Sequence, residues 1–103
     1  MEQNLELRTR TSDLTESIGV SFERTNTLPR DVKNIVEDVD SEFEGMSTVH
    51  LQKAIRNGSL GCYGKTYGEL TTQEICIWIR KYISENPSSE PKKMTMDRIN
   101  KEV

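Results

Sequence analysis

The thirteen residues from Asn57 to Glu69, NGSLGCYGKTYGE, hold four glycines and the triplet Gly64-Lys65-Thr66. Backbone N–H groups exposed by glycine, a lysine and a hydroxyl are the groups that cradle a phosphate. A phosphate-binding loop of nucleotide hydrolases also needs a glycine five positions before the Gly-Lys-Thr triplet. That position is Ser59, and Gly58 stands one place early. A helical pattern leads into the loop where a buried strand should, and no later apolar strand ends in an aspartate for magnesium. The spacing therefore argues against nucleotide hydrolysis and predicts a structural corner. In it Gly58, Gly61, Gly64 and Gly68 permit tight turns while Leu60, Tyr63 and Tyr67 anchor them.

Little else in the chain is suited to an active site. His50 has no Ser, Cys or Asp at a spacing that suggests a triad. Cys62 and Cys76 are fourteen positions apart without a Cys-x-x-Cys pair, which gives neither a disulfide framework nor half of a zinc site. Cys76 falls beside a helical apolar stripe and reads as a buried, inert thiol, whereas Cys62 lies in the loop and reads as exposed. No combination of acid, base, nucleophile or metal ligand stands out, so the expectation is a protein that is not an enzyme and has no cofactor and no metal.

The elements that hold the corner are helices. Val32, Ile35, Val36, Val39 and Phe43 recur at helical spacing from a first-turn Pro29 to a stop near Gly45. A second helix starts at Ser47 or Thr48 and runs through Val49, Leu51, Ala54 and Ile55 to Asn57, with Gly58 expected to close it in the left-handed conformation. Thr71 to Glu74 form a capping box for a third helix. Its stripe is Ile75, Trp78, Ile79, Tyr82 and Ile83, with Trp78 and Tyr82 expected in the core, and Asn86-Pro87 ends it.

The flanks read differently. Residues 1–27 are polar, with the alternation Ile18, Val20, Phe22 suggesting a short strand or an extended arm. After the third helix, PSSEPKK is a charged linker, and Met96, Ile99 and Val103 lie on one side of a short helix capped by Thr95. The predicted fold class is mainly α: a small three-helix domain with a glycine-rich corner and extended or flexible termini. Its divisions are an arm over 1–27, a helical domain over 28–86, and a linker with a helical tail over 87–103.

Charge is unevenly spread. The formal net charge is −3; residues 1–49 carry 5 Lys/Arg against 11 Asp/Glu, and residues 50–103 carry 9 against 6. Most of the acidity sits on the first predicted helix, at Asp31, Glu37, Asp38, Asp40, Glu42 and Glu44. The basic and aromatic residues Tyr63, Lys65, Tyr67, Arg80 and Lys81 gather at and after the corner. No apolar run reaches the roughly 18 residues of a membrane span, and no secretory leader is legible at the N-terminus. Together with the unpaired cysteines this predicts a cytoplasmic protein that does not engage membranes.

Residues 50–82 carry a further pattern: a helix, then Asn-Gly-x-x-Gly-x-Tyr-Gly at Asn57, Gly58, Gly61, Tyr63 and Gly64, then a helix with Trp78 and Tyr82. This resembles small, poorly characterised proteins of phages and mobile elements from gut bacteria, and covers about a third of the chain. The resemblance implies a genomic setting, in the host cytoplasm or within a virion, and no activity. The functional expectation is thus a non-catalytic interaction or structural component of a phage or mobile element. Its partner would be a protein, phage-encoded or a second copy, met through Glu37, Asp38 and Glu42 or through Tyr63, Lys65, Tyr67, Arg80 and Lys81. The alternative is a nucleic-acid-binding accessory factor with a helix-turn-helix-like unit over 48–84. It would set Lys53, Arg56, Lys65, Arg80 and Lys81 on phosphates, and five such contacts give a salt slope of roughly −4.5.

Overall fold

The computed structural model describes residues 2–66 and 68–91, with side chains described from Thr9 onward. Among these residues the chain is mainly helical: α1 Glu2–Arg24, α2 Val32–Glu42, α3 Thr48–Ser59, α4 Thr72–Glu85 and a short 3-10 turn at Pro87–Ser89. Tyr67 and the proposed tail helix with Met96, Ile99 and Val103 lie outside the described residues.

The expectation of three helices is corrected to four, because residues 1–27 are not an arm. Ile18 and Phe22, four apart, fit either an alternating strand or one helical face. Leu14, another four residues back, keeps to the same helical face, while Glu16 between Leu14 and Ile18 breaks the alternation a strand would need, and Leu14, Ile18 and Phe22 are all fully buried. They join Val39, Phe43, Leu51, Ile55, Trp78 and Ile79 in one apolar core. The boundary drawn at 27/28 therefore runs through a continuous core. Val20, the middle of the supposed alternation, is only partly buried.

Arg10 ties the start of this helix to the rest. Its Nε meets Asp40 Oδ1 at 2.5 Å, and its NH1 donates to the Met46 carbonyl at 2.6 Å and to Thr48 Oγ1 at 3.2 Å. A guanidinium suits this junction because its planar fork satisfies a carboxylate and backbone carbonyls at once. At the other end Arg24 reaches Ser59 Oγ at 3.3 Å, so α1 and α3 run in the same direction. Packing proceeds around a ring, α1 on α3, α3 on α4, α4 on α2 and α2 on α1.

Local details depart from the sequence expectations at three points. Pro29 lies in the connection before α2, whose N-cap is Asp31 in a left-handed conformation; its carboxylate accepts from the Asn34 side chain at 2.7 Å. Leu60 is not an anchor of the corner but 56% exposed. Gly58 does not close α3 in a left-handed turn; it sits inside the helix, and that turn belongs to Gly61 at φ +88°. Gly64 and Gly68 also adopt positive φ, as a corner of tight turns requires. The capping role of Thr71 holds: its Oγ1 accepts from the Glu74 N–H at 3.2 Å.

Gly58 has a packing cause. A Cβ placed there would lie 1.9 Å from Cδ2 of Trp78, so the indole ring fills the place of the missing side chain. Gly19, in contrast, has open space around it and a helical setting in α1. Two glycine-to-alanine substitutions should therefore act with opposite signs in urea melts. Gly19→Ala is expected to stabilise by about 0.5–1 kcal/mol through helix propensity. Gly58→Ala is expected to destabilise by about 1–3 kcal/mol through overpacking, in spite of the same propensity gain. Phe22→Ala should cost about 3–5 kcal/mol, and a chain lacking residues 1–27 should lose cooperative thermal unfolding. A stable, cooperative remainder would restore the arm reading.

Candidate interaction surfaces

The ring of helices gives the molecule two unlike sides. Between α2 and α4 lies a cleft of about 620 Å³ lined by Asp38, Glu42, Gln73, Cys76, Ile77 and Arg80, among others. Three of the predicted interaction residues, Asp38, Glu42 and Arg80, thus converge on one concavity. Glu37 is exposed on α2 and Lys81 exposed on α4, but neither lines it.

Within the cleft, Arg80 NH2 donates to Glu42 Oε1 at 2.9 Å, and the guanidinium carbon stands 5.7 Å from the centroid of the Phe43 ring. Opposite charges on facing helices explain the pair, and the aromatic face adds a cation–π contact. Both partners are about half exposed, so the pair orients Arg80 and contributes little stability. It also occupies a cation that the nucleic-acid alternative needs. Of the other four, Arg56 lines a shallow groove between α1 and α3, Lys65 lines a pocket at the glycine corner, and Lys53 and Lys81 are exposed on different helices.

Ile77 is the apolar component of the cleft, and sequence reasoning did not single it out. It is 45% exposed, beside a stripe in which Ile75, Trp78, Ile79, Tyr82 and Ile83 are all buried. The signal was available: an isoleucine outside the stripe of its own helix has no intramolecular surface to cover.

Tyr63 is half-buried at the corner, with its hydroxyl 3.4 Å from Asn57 Nδ2. Burial raises its phenol above the ordinary value, against the Asn57 contact, which lowers it. His50 is tied to the core helix, its Nδ1 standing 2.7 Å from the Tyr82 hydroxyl. Cys62 is exposed and Cys76 buried. Burial raises the Cys76 thiol; Arg80 opposes this, while Glu42 and Asp38 add to it. Among the described residues no group of three or more His, Cys, Asp or Glu is arranged to hold a metal. None of the described helices is long and apolar enough to cross a membrane.

Comparison with protein-family models, with curated proteins and with solved structures finds no match. The side chains themselves thus carry the functional argument.

The two thiols should behave differently. A thiol-alkylating reagent should modify Cys62 in the folded protein and Cys76 only on unfolding, as mass spectrometry of the labelled peptides would report. Because the folded Cys76 ionises later than the unfolded one, its contribution is full below the ordinary thiol pKa and is lost as pH climbs through the raised value. Urea unfolding between about pH 7 and about pH 9.5 should show stability falling with pH, less steeply in Cys76→Ala. Tyr63 adds a loss of the same sign at higher pH.

Proposed function

We propose that this chain is a non-catalytic interaction protein whose α2/α4 cleft receives an apolar, lysine- or arginine-bearing segment of a partner protein. The observation that carries the reading is Ile77, exposed in a concavity whose rim bears Asp38 and Glu42. Arg80 offsets one carboxylate, and Asp38 keeps the cleft acidic, with Glu37 and Glu44 exposed nearby on or just beyond α2. An amphipathic segment laid into such a groove gains by burying its apolar residues on Ile77, while its cations meet the carboxylates at the rim. The phage or mobile-element setting rests on the resemblance of residues 50–82 and adds no contact to this account.

The nucleic-acid alternative has less support. Arg80 is engaged with Glu42, and the connection from Leu60 to Thr71 exceeds the 3–4-residue turn of a helix-turn-helix.

The test is capture on the immobilised chain from cell extract, with nuclease treatment and at two salt concentrations, using wild type, Ile77→Asp and Asp38→Lys. The expected result is a defined protein that survives nuclease and is retained at least about tenfold less by each variant. Zero-length carbodiimide cross-linking should join Asp38 or Glu42 to a lysine of that protein. Retention that requires nucleic acid, or that is equal in all three proteins, would overturn the proposal.

A further inference from the structure

On the α1/α3 side, a second concavity of about 390 Å³ opens between the C-terminal ends of those helices and the glycine corner. Its walls include Arg24, Asn26, Ser59, Leu60, Lys65 and Thr66, and among the described residues no carboxylate lines it. Arg10, Arg30 and Arg80 each face a carboxylate: Asp40, Glu69 and Glu42. Arg24 differs from them. Its NH1 donates to the neutral hydroxyl of Ser59, and among the described residues no carboxylate pairs with it.

Two helix C-termini converge here, and their free carbonyls would repel an anion. Those carbonyls are not free. In α1, Ser21 O accepts from the Thr25 N–H and hydroxyl, Phe22 O from Thr27 N–H and Glu23 O from Asn26 N–H. In α3, Arg56 O accepts from the Leu60 N–H and the Ser59 hydroxyl, Asn57 O from Cys62 N–H and Gly58 O from Gly61 N–H. Internal donors thus absorb much of the negative end of both dipoles, and the guanidinium charge is left to act on what enters.

Thr66 supplies an independent sign. Its Oγ1 is buried and has no hydrogen-bond partner among the described residues, a state that costs free energy until a ligand supplies one. We propose that this concavity binds a phosphate dianion, free or as a monoester, with Arg24 and Lys65 meeting its charge and Thr66 donating to one of its oxygens.

The surroundings favour a dianion over the backbone of a polyanion. Beyond Arg24 the surface continues into the shallow α1/α3 groove, where Glu16 joins Arg56 and interrupts any cationic track. The volume lies within the range of roughly 300–1,000 Å³ typical of small-molecule sites, and exposed Leu60 offers an apolar wall to the organic part of an ester. Lys65 and Thr66 of the Gly64-Lys65-Thr66 triplet then take part in anion binding through their side chains and not as a hydrolase loop, and no bond is broken.

The experiment is an amide chemical-shift titration of the full chain with inorganic phosphate, phenyl phosphate and dimethyl phosphate. Inorganic and phenyl phosphate should produce saturable shifts centred on Arg24, Lys65 and Thr66, with dimethyl phosphate, a monoanionic diester, binding at least about tenfold more weakly. Tighter binding of phenyl phosphate would assign an organic monoester, and equal binding the free anion. Arg24→Gln should weaken binding by about tenfold or more, and Thr66→Val, which keeps shape without the hydroxyl, by about threefold or more. Ile77→Asp, on the other side of the ring, should leave the titration unchanged whatever becomes of the protein partner. Absence of saturable shifts at millimolar phosphate, equal binding of the diester, or full affinity in Thr66→Val would overturn the assignment.

Discussion

Two helices can approach this closely only where one lacks a side chain, and Gly58 provides that place for Trp78. The indole ring occupies the space a Cβ would fill, which brings the middle of α4 against the end of α3. From that contact the rest of the ring follows. Ile55 and Leu51 on α3 and Ile75, Ile79 and Ile83 on α4 close over the same core, and the open faces are covered by Leu14, Ile18 and Phe22 of α1, Val39 of α2 and Phe43 at its C-cap. A single buried tryptophan removes on the order of 200 Å² from water, more than most other side chains of the core.

Electrostatics organises the outside more than it stabilises the inside. Asp40 is drawn to Arg10 and Glu42 to Arg80, so two of the acidic residues of α2 fix neighbouring helices. Exposed pairs of this kind are each worth about 0–1 kcal/mol. Arg10 does more, because its side chain is only 18% exposed and also satisfies backbone carbonyls where α2 turns into α3. The two sides accordingly differ in charge: carboxylates line the α2/α4 cleft, while at the end of α1 Arg24 meets the Ser59 hydroxyl and pairs with no carboxylate among the described residues.

Much of this was legible in the sequence, for reasons that can be given residue by residue. The stripes of α2, α3 and α4, the Thr71 cap and the Asn86 stop are local patterns, and local patterns are set by neighbours three or four positions away. Helix α1 was hidden because its polar composition and Gly19 suggested an arm, and because Ile18 and Phe22 satisfy two periodicities at once. The corner residues were read by kind but not by role. Gly58 was expected to turn the chain when it makes room for a ring, and Leu60 was expected to anchor when it faces solvent.

The sequence by itself determined that the chain is mainly helical, that Trp78, Tyr82 and Cys76 turn inward, and that acidic and basic residues fall in different halves. Each is a statement about one helix face or about composition, and needs no knowledge of what lies opposite. Only the tertiary structure decided which charges neutralise one another and which do not. Glu42 and Arg80 are 38 positions apart and meet; Arg24 and Ser59 are 35 apart and leave a cation on a hydroxyl. Such pairings depend on which helices become neighbours, and that order comes from burying every apolar stripe at once, a condition no local pattern contains.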